Sequence, residues 1–298
     1  MTRIGILVTH IRAEEKLLVE AFREAGVEPD MILDRDLNMD VTGGADQLAP
    51  TGIPWSDYNM ILERSVSTSR GTYALMLLNT WGVPTINTYQ TAHICGDKLA
   101  TSAVLAAAGV PQPNTRVAFT PDSAMDAIDD LTYPAVMKPV TGSWGRLLAR
   151  VSDRTSAESI IEHRQVLGNY QHHVYYAQEY VEKPGRDIRA FVIGGETVCA
   201  IYRESSHWIT NTARGGQASN CPVTDEINDI CVRAAEAVGG GILAIDLLED
   251  PERGYLVNEI NHTMEFRNSS KPTGVDIAAR VAAHVIELAE ANRTRALA

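Results

Sequence analysis

Along the N-terminal part of the chain, apolar positions follow two alternating rhythms. RIGILV (3–8) is apolar from Ile4 onward, as expected of a strand covered on both faces. From Ala13 to Ala25 the apolar residues Leu17, Leu18, Ala21, Phe22 and Ala25 fall on one helical face, and Gly26 ends the helix. MILD (31–34), NMILE (59–63) and VPTIN (83–87) predict further strands, with YALMLLNTW (73–81) as the helix before the last of them. This alternation is the pattern of a parallel sheet flanked by helices. TGGADQLAPTGIP (42–54), rich in Gly and Pro, reads as its longest loop.

A helix through CGDKLATSAVLAAAG (95–109) and the proline-punctuated VPQPNT open a second unit. It continues with strands at 115–119, 133–140 and 146–151 and helices near 122–130 and 155–167. The third unit begins with VYYAQEYVE (174–182) and a long hairpin turning at Gly194-Gly195. A helix over 224–238, the strands LAIDLLE (243–249) and GYLVNEIN (254–261), and a helix over 274–291 complete it. The expected fold class is α/β and α+β, divided into 1–89, 90–173 and 174–298.

The 298 residues allow two or three structural units, since single cores stop growing near ~250–300 residues. With 45% hydrophobic and 21% charged residues and no long apolar run, the composition is that of a soluble protein without a membrane span. MTRIGILVTH enters a strand pattern directly and lacks the regions of a signal peptide, so a cytoplasmic location is expected. Cys95, Cys199, Cys221 and Cys231 are widely separated, which suggests reduced thiols and neither zinc nor disulfides. A net charge of −12 argues against a nucleic-acid partner.

NEINH (258–262) breaks the apolar character of its strand. Strand periodicity sends Glu259 and Asn261 to one face and Asn258 and Ile260 to the other. LAIDLLE carries a lone acid, Asp246, and the short connection EDPERG pairs the two strands, so Asp246 can meet the Glu259 and Asn261 face. With no basic residue nearby in sequence, these oxygens point to a hard cation such as magnesium. Taken singly, Asp246 reads as a cap and Glu259 as an exposed strand end.

MKPVTGSWGRLLARV places Lys138 at a strand end and Gly142, Ser143, Trp144 and Gly145 in the following turn, an arrangement that lets backbone N–H groups approach phosphates. As an isolated hairpin loop its specificity is low. Lys98 alone reads as a surface charge. In QEYVEKPGRDIRAF, Gln178, Glu179 and Val181 can offer hydrogen bonds to an adenine edge, with Asp187 among the charged residues near ribose or phosphates. A polar edge strand fits as well.

In order, Lys98, MKPVTGSWGR, QEYVE, GRDIRAFVIGG, N-x-x-R-G-G (211–216), Asp246 and NEINHTMEF resemble the ATP-grasp carboxylate–amine ligases, and more closely their LysX/ArgX branch, which is similar to RimK. The resemblance implies an ATP-grasp fold preceded by a parallel α/β domain. It implies ATP and magnesium, with two ions expected, held by Asp246, Glu259 and Asn261, and phosphates at Lys98 and Lys138. Arg203 and Arg214 become candidates for steadying the tetrahedral intermediate beside Lys138; Arg189, Asn211, Arg267, Asn268 and Ser269 become candidate substrate contacts. The implied reaction joins the C-terminal glutamate of a small acidic LysW-type amino-group carrier protein to the α-amino group of 2-aminoadipate or glutamate, in an enzyme expected to be a dimer or tetramer. Carrier docking against an acidic ligase would need a local basic rim, for which Arg267 and Lys271 are candidates. Three other readings stay open: a RimK-like protein-tail glutamate ligase, a ligase of two free small molecules, and a nucleotide-binding module without turnover. Ser65, Ser67 and Arg70 follow a parallel strand where ligands gather in open α/β sheets.

Overall fold

A computed structural model describes residues 2–142, 146–210 and 217–297. The N-terminal unit comprises β1 (Ile4–Val8), α1 (Ala13–Glu24), β2 (Asp30–Leu33), β3 (Met60–Arg64), α2 (Thr68–Thr80) and β4 (Thr85–Ile86). Its strands form a parallel sheet in the order β2-β1-β3-β4. The chain leaves β1 toward one side for β2 and reaches β3 on the other, so the crevice between the C-terminal ends of β1 and β3 is a switch point. The 42–54 connection is packed: Ala49 joins Trp55 and Tyr58 in a core on one face of this sheet.

The helix expected over 95–109 begins at Lys98, as α4 (Lys98–Ala107), and a separate helix, α3 (Tyr89–Cys95), precedes it. Asp97 divides them, its carboxylate accepting from the Leu99 and Ala100 amides at 2.8 and 3.0 Å as an N-cap. Next come β5 (Thr115–Ala118), α5 (Pro121–Leu131), β6 (Ala135–Lys138), β7 (Ala149–Val151), α6 (Arg154–Leu167) and β8 (Tyr175–Glu179). They build an antiparallel sheet ordered β5-β8-β6-β7. β8, grouped above with the last unit, therefore lies in the central sheet, because its hydrogen bonds run to β5 and β6.

The C-terminal part contains β9 (Arg186–Ile193), β10 (Glu196–Glu204), β11 (Gln217–Cys221), α7 (Asp225–Ala237), β12 (Ile242–Asp250), β13 (Gly254–Asn261), α8 (Ser270–Thr273) and α9 (Ile277–Leu297). Its antiparallel sheet runs β11-β10-β9-β12-β13. Gly194 and Gly195, with φ of 60° and 85°, make the predicted two-residue turn. The edge strand β11, QASNC, has no apolar alternation and is not signalled by the sequence pattern.

The cores tie these parts together unequally. Ile4, Ile6, Phe22 and Leu62 of the N-terminal unit share one core with Phe191, Ile242, Met264 and Val281 of the C-terminal part. The central sheet has its own, built from Ile128, Met137, Ile161 and Tyr175. Asn87, 2% exposed, adds a polar clamp: its amide donates to the carbonyls of Ile242 and His262 (2.8 and 2.7 Å) and accepts from the Ile242 N–H (2.8 Å). Among the described residues, no helix is long and apolar enough to cross a membrane.

Candidate active site

The site is built on β12 and β13. Asp246 sits directly opposite Glu259 across this antiparallel pair, as strand periodicity and the short connection require. Immediately afterwards the register shifts, Leu247 pairing with Val257, so that Asn258 is an extra, bulged residue. This corrects the expectation that Asn258 faces away with Ile260. The bulge turns Asn258 into the cleft together with Glu259 and Asn261, while Ile260 stays in the core at 1% exposure.

Asp246, 3% exposed, is not without basic partners: Arg189 binds both its oxygens (2.8 and 2.9 Å) and Arg203 Nη2 reaches it at 3.0 Å. These partners are invisible in local sequence because β9, carrying Arg189, inserts between β10 and β12. Arg203 in turn grips Asp187 through two bonds of 2.6 and 2.8 Å, and Thr210 donates to the same carboxylate. A row of alternating charge, Arg203, Asp187, Arg189 and Asp246, thus crosses the sheet and ends beside a second acid, Glu259. Burial favours a protonated Asp246, but the two guanidiniums outweigh it and hold the pKa below the ordinary carboxylate value. The same carboxylates raise Arg203 against its own burial.

The central sheet supplies the opposite wall. Lys138 ends β6, 6% exposed, its ammonium bonded to Gln178 Oε1 at 2.5 Å and Asn258 Oδ1 at 2.9 Å. Burial pushes its pKa down to about 8, aided by Lys98 and Lys183 and opposed by Glu259. Lys98 begins α4, donates to the Gly142 carbonyl at 2.8 Å and stands 3.7 Å from Glu259. Lys183, missed in the sequence because it lies in the charged segment between strands, is largely buried and bonds Thr210 at 2.7 Å. Three ammonium groups therefore converge on the cleft, a field suited to an anion carrying several charges.

Glu179 and Val181 line the same cleft, but the Glu179 carboxylate is already held by the Asn114 amide N–H at 2.7 Å and by Arg253 at 2.7 Å. Its side chain is structural, and what the segment offers a ligand is backbone and the apolar surface of buried Val181 beside Leu248.

The remaining rim comes from the switch point and the segment after β13: Arg12, Ser65, Thr68, His262, Thr263 and Glu265. Arg12 is held by Glu15 (2.9 Å) and Glu265 (3.1 Å). Beneath the rim, Glu63 accepts from the Ser65 N–H at 2.6 Å and the Thr263 hydroxyl at 2.9 Å, and burial pushes its pKa up to about 7. Burial also pushes neighbouring His262 down to about 4, so its imidazole is neutral. Of the residues predicted after β3, Ser65 reaches the cleft, but its hydroxyl and Arg70 serve buried Asp34 (2.6 and 2.9 Å).

Arg267, Asn268 and Ser269 are not brought to this cleft. Arg267 is mostly exposed and lies 3.9 Å from Glu14, Asn268 is exposed, and buried Ser269 is the N-cap residue before α8. Ser143, Trp144, Gly145, Asn211 and Arg214 lie outside the described residues. Arg12, Asn258 and Lys183 were not legible in the sequence, because their roles depend on long-range packing or on the bulge.

The donor set suits an oxygen-seeking cation. Asp246, Glu259 and Asn261 present carboxylate and amide oxygens along one strand pair, and Glu259 has only the 3.7 Å contact with Lys98 among its ion pairs in the described residues. Asn261 Nδ2 is buried with no hydrogen-bond partner among the described residues, a donor left over for an acceptor brought by a ligand.

Two sheets closing on a cleft with a lysine wall and an acid–arginine wall define a ligand-binding enzyme site of the kind ligases use. Residues 4–94 match the LysX pre-ATP-grasp domain and residues 95–285 the RimK-like ATP-grasp domain. The chain belongs to the RimK-like ATP-grasp family of carboxylate–amine ligases. It is 33% identical to the alpha-aminoadipate–LysW ligase LysX of Sulfurisphaera tokodaii over 92% of this chain and 95% of that protein. It is also 33% identical to the glutamate–LysW ligase ArgX of the same organism, over 96% of this chain and 98% of that one. The crystal structure of an ATP-grasp RimK domain protein from Sphaerobacter thermophilus superimposes with a TM-score of 0.78 at 27% identity, covering 95% of this chain and 99% of that chain.

Proposed function

We propose that the protein is an ATP-dependent ligase that joins the C-terminal glutamate γ-carboxylate of a LysW-type carrier protein to the α-amino group of 2-aminoadipate or glutamate. The observation that carries this reading is the cleft itself: Lys98, Lys138 and Lys183 face Asp246, Glu259 and Asn261, within a chain of 33% identity to both kinds of LysW ligase. A carboxylate is a poor acceptor of an amine until its oxygen becomes a leaving group, and transfer of the ATP γ-phosphoryl group makes it one. The segment Gln178 to Val181 would hold adenine, and Lys98, Lys138 and Lys183 would bind the phosphates. Asp246, Glu259 and Asn261 would hold magnesium, which would supply positive charge to neutralise the phosphates. Lys138 has a fixed orientation, because Gln178 and Asn258 hold its ammonium before substrate arrives. Arg189 and Arg203, anchored by Asp246 and Asp187, supply positive charge to the acyl phosphate and to the oxyanion formed when the amine attacks. The amine substrate occupies the rim between Ser65, Thr68 and Thr263, where the switch point opens toward the acyl group.

Equal identity to the LysX and ArgX relatives leaves no preference between the two amino acids. The deciding experiment is ADP release by the purified protein with ATP, magnesium, a LysW-type carrier, and 2-aminoadipate or glutamate in turn, with the carrier then weighed by mass spectrometry. A carrier heavier by one amino-acid residue is expected. ADP release with a ribosomal-protein tail in place of the carrier would replace this reading with tail glutamylation.

A further inference from the structure

Glu63 is a buried carboxylate, 2% exposed, at the end of β3, and it makes no direct approach to the acids and lysines described above. Its two oxygens serve the cleft from behind. Oε1 accepts the backbone N–H of Ser65 at 2.6 Å, and Oε2 accepts the hydroxyl of Thr263 at 2.9 Å, with His262 Nε2 4.0 Å away. Ser65 belongs to the N-terminal unit, Thr263 and His262 follow the metal-ligand strand, and all of them line the cleft. One side chain thereby sets the spacing of two cleft walls that lie about 200 residues apart in sequence.

The carboxylate is also packed in place. A Cβ on Gly71 of α2 would lie 2.9 Å from Glu63 Oε1 and 2.9 Å from Ser65 Cβ, so the helix backbone closes over the group and leaves it little room to turn. With its proton committed to Glu63, the Thr263 hydroxyl keeps only lone pairs for other partners. That polarity matches an N–H donor, which is what an incoming amine presents.

We infer that Glu63 is a positioning residue for the amine substrate, fixing Thr263 as a hydrogen-bond acceptor and Ser65 as its facing wall; the inference rests on the functional reading above. Glu63→Gln retains the shape but has one acceptor oxygen for two donors. Thr263→Val removes the acceptor at a partly exposed position, and Thr263→Ser restores it. In the ADP-release assay with the carrier, KM for the amino acid should rise about tenfold or more in Glu63→Gln and Thr263→Val, as expected when a substrate donor is left unpaired. KM for ATP should stay within about twofold in both, because neither residue touches the nucleotide half of the cleft. Thr263→Ser should return the amino-acid KM to the wild-type value, and the double variant should be no worse than Glu63→Gln alone, since both act on one contact. An unchanged amino-acid KM in the two variants, or an ATP KM rising in parallel, overturns the inference while leaving the ligase reading intact. Wild-type protein that releases no ADP with either amino acid overturns the ligase reading and this inference with it.

Discussion

Lys138 Nζ lies 2.9 Å from Asn258 Oδ1, a bond that joins the central sheet to the C-terminal sheet across the cleft. It exists because the bulge in β13 reverses the facing of one residue. In a regular strand, Asn258 would point into the core and the ammonium would lose one of its two acceptors.

Replacing Lys138 with Met retains its volume and removes its charge. Turnover in the ADP-release assay should fall by about 10²–10³, the usual cost of removing one preorganised group that stabilises developing charge. The folded state should not suffer, since burial of the ammonium is itself unfavourable. A thermal melt at or above the wild-type midpoint, alongside the lost turnover, is the expected pair of results.

The same lysine sets an alkaline limit. With a pKa of about 8 in the folded protein, it loses its proton as pH rises through 8, and the rate should decline there. Its contribution to stability has the opposite sign. Between about 8 and the ordinary value of 10.5 the unfolded chain binds the proton more strongly, so stability gains with pH across that window. Denaturant titrations of wild type and Lys138→Met at pH 8 and 10 should show this gain in the wild type alone.

Asp246→Asn leaves Arg189 and Arg203 with one buried counter-charge fewer. Breaking a buried ion pair on one side costs roughly 3–5 kcal/mol, which should be visible as a lowered midpoint in urea unfolding. Magnesium should shift the melting temperature of the wild-type protein with nucleotide more than that of the variant. Equal shifts would count against Asp246 as a ligand.

Glu63 makes an independent prediction about stability. Its folded pKa, near 7, is raised above the ordinary 4.5 by burial, so the stability it contributes is present below pH 4.5 and lost as pH rises through 7. Glu63→Gln cannot titrate. Its stability should vary less than that of wild type between pH 4.5 and 7, as measured by chemical denaturation.

How much of this was legible in the sequence depends on how local each relationship is. The apposition of Asp246 and Glu259 could be read because period-two strands and a short connection determine it. The Gly194-Gly195 turn was equally plain, since both positions need positive φ. The bulge at Asn258 carries no signature such as a glycine, so periodicity gave the wrong face. The partners of Asp246 were hidden because strand order within a sheet is not written in chain order: β9 reaches β12 past two intervening strands and a helix. β8 was misgrouped for the same reason, as its pattern says that it is a strand and not which sheet it joins. The substrate residues sought at Arg267 to Ser269 were displaced because the turn after β13 carries Thr263 and Glu265 to the cleft, after which Phe266 and Ser269 are buried away from it and Arg267 and Asn268 are exposed.

The N-terminal and C-terminal parts share a core and are held further by Asn87, clamped onto Ile242 and His262. Those two parts form one chassis, because separating them would expose Phe22, Leu62, Phe191 and Met264 together. The sheet β5-β8-β6-β7 keeps its own core. Lys138 rides on that separately packed sheet and Asn258 on the chassis, so their 2.9 Å bond is a seam between two bodies and not a contact within one.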